Sequence, residues 1–247
     1  MKIELNKIIL GDCLEVMKDI PDKSVNLVLT DPPYGTTACK WDSIIPLDQM
    51  WLQLKRIIKP NGVILLFGSE PFSSFLRVSN IQNYKYDLIW EKSQATGFLN
   101  AWKMPLRETE NISVFYSTSP AYNPQLRDKH KKDIRPPTPR TKLSECYGKF
   151  DLNIHKCPPG KSMPKTIIKF NNQQGNVHPT QKPVPLMEYL INTYSNKGEL
   201  ILDFTCGSGT TAVACKNTHR NFIAIEKEPK YVEIAKRRVA NAQPQLF

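Results

Sequence analysis

The chain lacks any long apolar run. No stretch approaches the roughly 20 residues that a membrane-spanning helix needs, and the opening residues MKIELNKIIL carry no signal-peptide core. A cytoplasmic protein without a membrane partner is therefore expected. Metal-ligand spacing is missing as well. The six cysteines (13, 39, 146, 157, 206 and 215) form no CxxC pair, and the four histidines (130, 155, 178 and 219) show no zinc-type interval. No metal site is expected. A disulfide framework does not suit a chain of this size and compartment, so the cysteines read as packing residues. The glycine-rich segment CGSGTT (206–211) also lacks the Gly-Lys-Ser/Thr of a phosphate-cradling loop. Acidic charge is scarce, with 23 Asp and Glu against 34 Lys and Arg and a net charge of +11. Such an excess favours polyanionic partners, nucleic acid first and an anionic membrane surface second.

What is present is enough for a substantial core. The 247 residues are 40% hydrophobic and 23% charged, as in folded soluble proteins. In the first third, strand-like segments (6–10, 24–30, 62–68, 84–90 and 112–117) alternate with helix-like ones (12–19, 47–58 and 71–79). Asp12 is placed to cap the first helix, while Pro60 and Gly62 are expected to end the second. Order returns at 184–195 (helix), 199–204 (strand), 210–218 (helix), 221–226 (strand) and 229–241 (helix). Interleaved strands and helices imply an α/β fold whose mostly parallel sheet is covered on both faces. Between 118 and 176 periodicity fades. The segment RDKHKKDIRPPTPRTK (127–142) holds seven Lys or Arg against two Asp. It reads either as a solvated linker or as a functional basic insertion.

Two motifs end strands. TDPPYGTT (30–37) follows the apolar run 25–29. Proline cannot donate to a sheet and pushes the preceding residue towards extended geometry, so the strand stops in a stiff loop. That loop presents the Asp31 carboxylate, the Pro32 carbonyl, Pro33 and the Tyr34 ring. Alone it describes a strand-ending turn. In ELILDFTCGSGTTAVA (199–214) an apolar strand runs into a glycine turn and a helix start. Gly207, Gly209, Thr210 and Ala212 fit the G-x-G-x-x-G/A pattern of nucleotide-like cofactor sites, where glycines allow close backbone approach and a helix N-terminus offers N–H groups. The strand NFIAIE ends at Glu226, 19 residues beyond Gly207, where a ribose-hydroxyl acceptor belongs.

Taken together, GDCLEVMKDIPDKSVNLVLTDPPYG (11–35), HPTQKPVPLMEYLI (178–191), LDFTCGSGTT (202–211) and AIEKEPKYVEIAKRR (224–238) resemble the S-adenosylmethionine-dependent DNA amino-methyltransferases of the β arrangement. In that family the D-P-P-Y block precedes the target-recognition region and the cofactor-binding block. One departure stands out: the family commonly reads D-P-F-x-G-S-G where this chain has Asp203-Phe204-Thr205-Cys206-Gly207-Ser208-Gly209.

The resemblance implies a Rossmann-like methyltransferase fold with circularly permuted motif order. Residues 1–117 would form its catalytic half, 118–176 a basic, Pro-rich target-recognition insertion, and 177–247 the cofactor-binding half. It further implies methyl transfer to the N6 amino group of a flipped adenine in double-stranded DNA, in a restriction-modification setting. Cytosine N4 and RNA adenine are the alternative substrates, and a non-catalytic nucleic-acid-binding module is the alternative class. Asp-Pro-Pro-Tyr points to adenine, because the cytosine enzymes usually open that block with Ser. Protein-glutamine methyltransferases share such a loop, but their glycine block comes first.

By the same resemblance Asp12 would contact the cofactor adenine and Glu226 the ribose, with Asp203, Gly207, Gly209 and Thr210 supporting its methionine end. His178, Thr180 and Lys182 lie in the block near the methionine carboxylate, and Asp31 sits beside the methyl group. Asp31, Pro32, Pro33 and Tyr34 would be catalytic, and Lys129, Lys131, Lys132, Arg135 and Arg140 would meet nucleic acid. A second copy of the chain and a cognate restriction endonuclease are further candidate partners. Trp102 and Phe98 could pack near the catalytic face, but core packing is the expected role for both.

Overall fold

Apolar residues that alternate along buried strands must be covered on both sides, and here that requirement organises the chain. The computed structural model describes residues 4–36, 42–129, 157–173 and 181–243. They divide into a main unit (1–123 and 166–247) and a small one (124–165). The main unit begins with β1 (Lys7–Leu10), α1 (Cys13–Val16), β2 (Val25–Thr30), α2 (Leu47–Ile57), β3 (Ile58–Gly68) and α3 (Phe72–Val78). Then come β4 (Tyr84–Thr96) and β5 (Arg107–Phe115). The small unit contains the antiparallel pair β6 (Arg127–Asp128) and β7 (Lys161–Ser162). The main unit resumes with β8 (Ile167–Phe170), α4 (Val184–Tyr194), β9 (Leu200–Asp203), α5 (Thr210–Asn217), β10 (Asn221–Glu226) and α6 (Pro229–Asn241).

Eight strands form one sheet in the order β1-β10-β9-β2-β3-β5-β4-β8. The first five run parallel, while β5 is antiparallel to both of its neighbours. Leu27 and Leu29 of β2 and Val63, Leu65 and Phe67 of β3 face α4 and α5, whereas Val28, Ile64 and Leu66 face α2 and α3. This period-two alternation is what a doubly covered sheet needs. From β9 the chain winds through α5 to β10 on one side, and from β2 through α2 to β3 on the other. The β9–β2 boundary is thus the switch in strand order, outside whose carboxyl ends open α/β sheets bind ligands. The C-terminal β9 and β10 lie between the N-terminal β1 and β2, which is the permuted arrangement expected from the motif order.

Several boundaries differ from those read in the sequence. The strand expected at 62–68 starts at Ile58 and runs through Pro60 and Gly62, because a register irregularity against β2 between Val25 and Leu27 absorbs them. A Cβ on Gly62 would lie 3.0 Å from the Asn26 carbonyl oxygen, so the bulged strands approach closely there. The first helix shortens to Cys13–Val16 and tightens into a 3₁₀ turn over Met17–Asp19 before Pro21. The β4 and β5 strands extend well past their expected ends, to Thr96 and back to Arg107. The range 118–176 is not one separate piece either: 118–123 and 166–173 belong to the main unit, with β8 paired to β4 in its sheet.

Candidate active site

Both motif loops leave the sheet at its carboxyl edge and are tied together there. Thr30 Oγ1 donates to Asp203 Oδ1 at 2.8 Å and accepts from the Phe204 N–H at 3.0 Å. Thr205 Oγ1 donates to the Asp31 carbonyl at 3.1 Å. Around them a cavity of ≈ 650 Å³ opens, within the roughly 300–1,000 Å³ of small-ligand sites. Asp12, Asp31, Pro32, Pro33, Tyr34, Lys182, Asp203, Gly207, Thr210 and Glu226 all line it. With Asp42 and Glu110 the cavity gathers six carboxylates against four Lys or Arg (Lys92, Arg107, Lys182 and Lys227), in a protein of net charge +11.

The glycine turn is built by backbone constraint. Gly207 and Gly209 adopt φ of +51° and +78°, where glycine carries no Cβ penalty. A Cβ on Gly209 would also sit 2.7 Å from Cβ of Ala235 on α6, so the missing side chain lets that helix approach. Glu226 Oε2 accepts from the Gly207 N–H at 2.8 Å and Oε1 from the Glu228 N–H at 2.9 Å. Burial pushes the Glu226 carboxyl up, against the pull of these N–H donors. Arg238 reaches back from α6 to the Ser208 carbonyl and hydroxyl, both at 2.7 Å, and to Thr210 Oγ1 at 3.1 Å. Nothing in the sequence motif marks Arg238; its spacing reads as one more exposed helix cation.

Asp12 Oδ1 caps α1 by accepting from the Leu14 N–H at 2.8 Å. Asp203 is a strut. Its oxygens accept from Thr30, from the Thr205 N–H at 3.2 Å and from Thr211 Oγ1 at 2.5 Å. Burial raises its carboxyl to about 6.

Asp31 sits in a charged cluster. Its Oδ1 accepts from the Tyr34 hydroxyl, and its Oδ2 accepts from Lys182 Nζ at 2.5 Å. Lys182 also pairs with Glu110 Oε2 at 3.1 Å, and Lys92 with Glu110 Oε1 at 2.7 Å. Burial raises the Asp31 carboxyl, with Lys182 opposing. Burial would raise Glu110 too, but Lys182 and Lys92 together hold it below the usual carboxylate range. Burial would lower the Lys182 ammonium, yet Asp31 and Glu110 overcome that and raise it. The Tyr34 ring stacks on Phe72 at 5.2 Å, and burial followed by the Asp31 charge pushes its hydroxyl well up. Asp42 fixes the turn beyond by accepting from the Gly35 and Thr36 N–H groups at 2.9 and 3.0 Å.

Sequence reasoning passed over Glu110 and Lys92, which come from the β5 and β4 strands. Both lie just beyond the strand-like segments read in the sequence (84–90 and 112–117), so no sequence signal marks them. Two expected positions are overturned: Trp102 is fully exposed (102%) and Phe98 is 77% exposed, both on the β4–β5 hairpin. Lys129 is exposed in the small unit, where its N–H donates to the Gly160 carbonyl at 2.8 Å. His178, Thr180, Lys131, Lys132, Arg135 and Arg140 lie outside the described residues.

Comparison with known proteins agrees with this architecture. A family model described as DNA methylase matches residues 25–237. The type II methyltransferase M.HinfI of Haemophilus influenzae is 30% identical over 278 residues, covering 97% of this chain and 70% of that protein. The crystal structure of an M1.HpyAVI–SAM complex superposes with a TM-score of 0.64 at 25% identity, covering 94% and 98% of the two chains. A cytosine-N4-specific PvuII DNA methyltransferase shares the fold at a TM-score of 0.66 and 17% identity, covering 96% of this chain and 87% of that one. With its family match extending from β2 into α6, the chain belongs to the DNA methylase family.

Proposed function

We propose that the protein transfers a methyl group from S-adenosylmethionine to the N6 amino group of an adenine flipped out of duplex DNA. The observation that carries this reading is the Asp31-Pro32-Pro33-Tyr34 loop, held in one cavity with Glu226, Gly207 and Thr210. The donor set suits this cofactor. S-adenosylmethionine is a cation overall, and the six acids lining the cavity outnumber its four bases. Glu226, a carboxylate on the cavity wall, suits the ribose hydroxyls, and Asp12 at the α1 cap suits an exocyclic amine. Phe204, Leu14 and Tyr231 supply apolar lining for a ring. Asp203, its oxygens already occupied by threonine and backbone donors, acts by holding the glycine turn in place.

When bound, the cofactor supplies an electrophilic methyl group on a sulfonium. An exocyclic amine is a poor nucleophile, because its lone pair is delocalised into the ring. Asp31 and the Pro32 carbonyl each accept one amino hydrogen, which favours a more pyramidal nitrogen with its lone pair free to attack. Tyr34, braced by Phe72, presents its ring to the base. Lys182, shared between Asp31 and Glu110, yields the Asp31 oxygen that the amine needs and keeps a partner while doing so. Holding the two reactants together can remove roughly 7–11 kcal/mol of the barrier. Flipping the base costs about a few kcal/mol. The basic segment 127–142 supplies attraction to phosphate that carries no base preference.

Incubation with mixed-sequence duplex DNA and labelled S-adenosylmethionine, followed by nucleoside analysis, tests the reading. N6-methyladenine is the expected product. N4-methylcytosine alone would move the chain to the other amino-methyltransferase class, and label in neither nucleoside would refute both.

A further inference from the structure

The β4–β5 hairpin overshoots the rest of the sheet. Asn111 pairs with Gly68 at the end of β3, yet β5 continues back to Arg107, about 13 Å further at strand rise. The overshoot lies at the carboxyl edge, and Thr96, Arg107 and Thr109 at its base line the same cavity as Asp31 and Tyr34. That base is anchored. Asn172 Oδ1 accepts from the Ser93 and Gln94 N–H groups at 3.1 and 3.3 Å, and the Asn172 N–H donates to Ser93 Oγ at 3.0 Å.

The tip, residues 97–106, is ordered by its own backbone. Asn100 and Ala101 donate to the Gly97 and Phe98 carbonyls at 2.9 and 3.1 Å, and Lys103 and Met104 donate to the Asn100 carbonyl at 2.8 and 3.0 Å. Gly97 turns the chain at φ +91°. With its backbone bonded internally, the tip holds Phe98, Leu99, Trp102, Met104 and Leu106 in solvent. Five exposed apolar side chains within nine residues mark a surface that something else covers.

We propose that this tip is a wedge that enters the DNA base stack beside the target adenine, with Trp102 filling the gap left by the flipped base and Phe98 packing behind it. The proposal rests on the DNA-methylating reading above and assigns it the element that opens the duplex. Charge selects DNA as the occupant: from Ser93 to Arg107 there is no acid, while Lys103 and Arg107 flank the apolar residues. Location selects the base stack, because the hairpin rises from the rim of the cavity that must receive the base. Flipping leaves the neighbouring pairs unstacked, and an inserted ring restores that contact.

The test compares wild type, Trp102→Ala and Phe98→Ala on two oligonucleotide duplexes carrying the adenine that wild type is found to methylate. In one the adenine is paired; in the other it faces an abasic site, so that little opening is needed. Loss of the wedge lowers kcat/KM on the paired duplex about tenfold or more, the range of one lost base–aromatic stack. It leaves the abasic duplex and the affinity for S-adenosylmethionine nearly unchanged. 2-Aminopurine at the target position gives a second readout: its fluorescence rises on binding wild type and rises much less with Trp102→Ala. Equal losses on both duplexes, or no loss on either, overturn the wedge while leaving the methylation reading intact. A dimer that Trp102→Ala converts to monomer, with both duplexes equally affected, makes the tip a contact between copies and also overturns it. A wild-type protein that methylates no DNA overturns the underlying reading, and the wedge with it.

Discussion

Replacing Glu110 by Gln removes one charge from a cluster of two acids and two bases. At 3.1 Å and an effective dielectric near 20, its attraction for Lys182 is about 5 kcal/mol before desolvation is subtracted. The variant also leaves Lys92 buried at 7% exposure without its anion. Breaking a buried pair by removing one partner costs about 3–5 kcal/mol, because the other charge is stranded. At roughly 2–4 °C per kcal/mol for a chain of this size, the melting temperature should fall by about 6–20 °C. Lys182, left with Asp31 alone, then competes with the amine for the Asp31 oxygen, so kcat falls while affinity for S-adenosylmethionine holds. The assay is thermal unfolding followed by single-turnover methylation well below the new midpoint. Lys92→Met in the same background serves as the partner in a double-mutant cycle, and by removing the stranded charge it should return part of the lost stability. An unchanged melting temperature together with an unchanged kcat would refute the shared-lysine reasoning.

Gly209→Ala combines a left-handed φ with a Cβ 2.7 Å from that of Ala235, so it should cost about 1–3 kcal/mol and weaken cofactor binding; wild-type stability in urea would contradict the tight approach of α6. Asp203 has a folded value of about 6, above the roughly 3.9 of an unfolded aspartate, so the folded state binds the extra proton in that window. Stability should therefore fall by up to about 3 kcal/mol as pH rises from about 4 to about 6, then level off. Asp203→Asn should lack that slope, and equal slopes in the two proteins would contradict the assignment. Arg238→Met removes three hydrogen bonds to Ser208 and Thr210, so it should raise the S-adenosylmethionine Kd, read by calorimetry, more than it lowers the melting temperature.

The Asp31–Tyr34 loop and the glycine turn were legible because each is a local event, a strand that must stop at prolines or glycines in a fixed order. Their meeting was legible too, since parallel strands that neighbour each other open their loops at one edge. The charged cluster was not. Lys92 and Glu110 lie on strands paired far from Asp31 in sequence, and a buried charge is recognisable only once its partners are in place. Trp102 and Phe98 were misplaced for the opposite reason. An aromatic residue defaults to the core unless the backbone turns it outward, and here the hairpin's internal hydrogen bonds do so. Pro60 and Gly62 misled about β3, because a bulge lets the strand absorb both.

The central claim is that the Asp31 carboxylate accepts a hydrogen from the adenine amine during transfer. Its most direct test is single-turnover methylation of duplex DNA, with saturating S-adenosylmethionine and mass-resolved nucleosides, by wild type and Asp31→Asn. The amide preserves the volume but offers one acceptor and two donors in place of an ionised carboxylate. The account predicts N6-methyladenine from wild type and a rate lower by about 10²–10⁴ in the variant, with DNA binding retained. A near wild-type rate of adenine methylation by Asp31→Asn would contradict it.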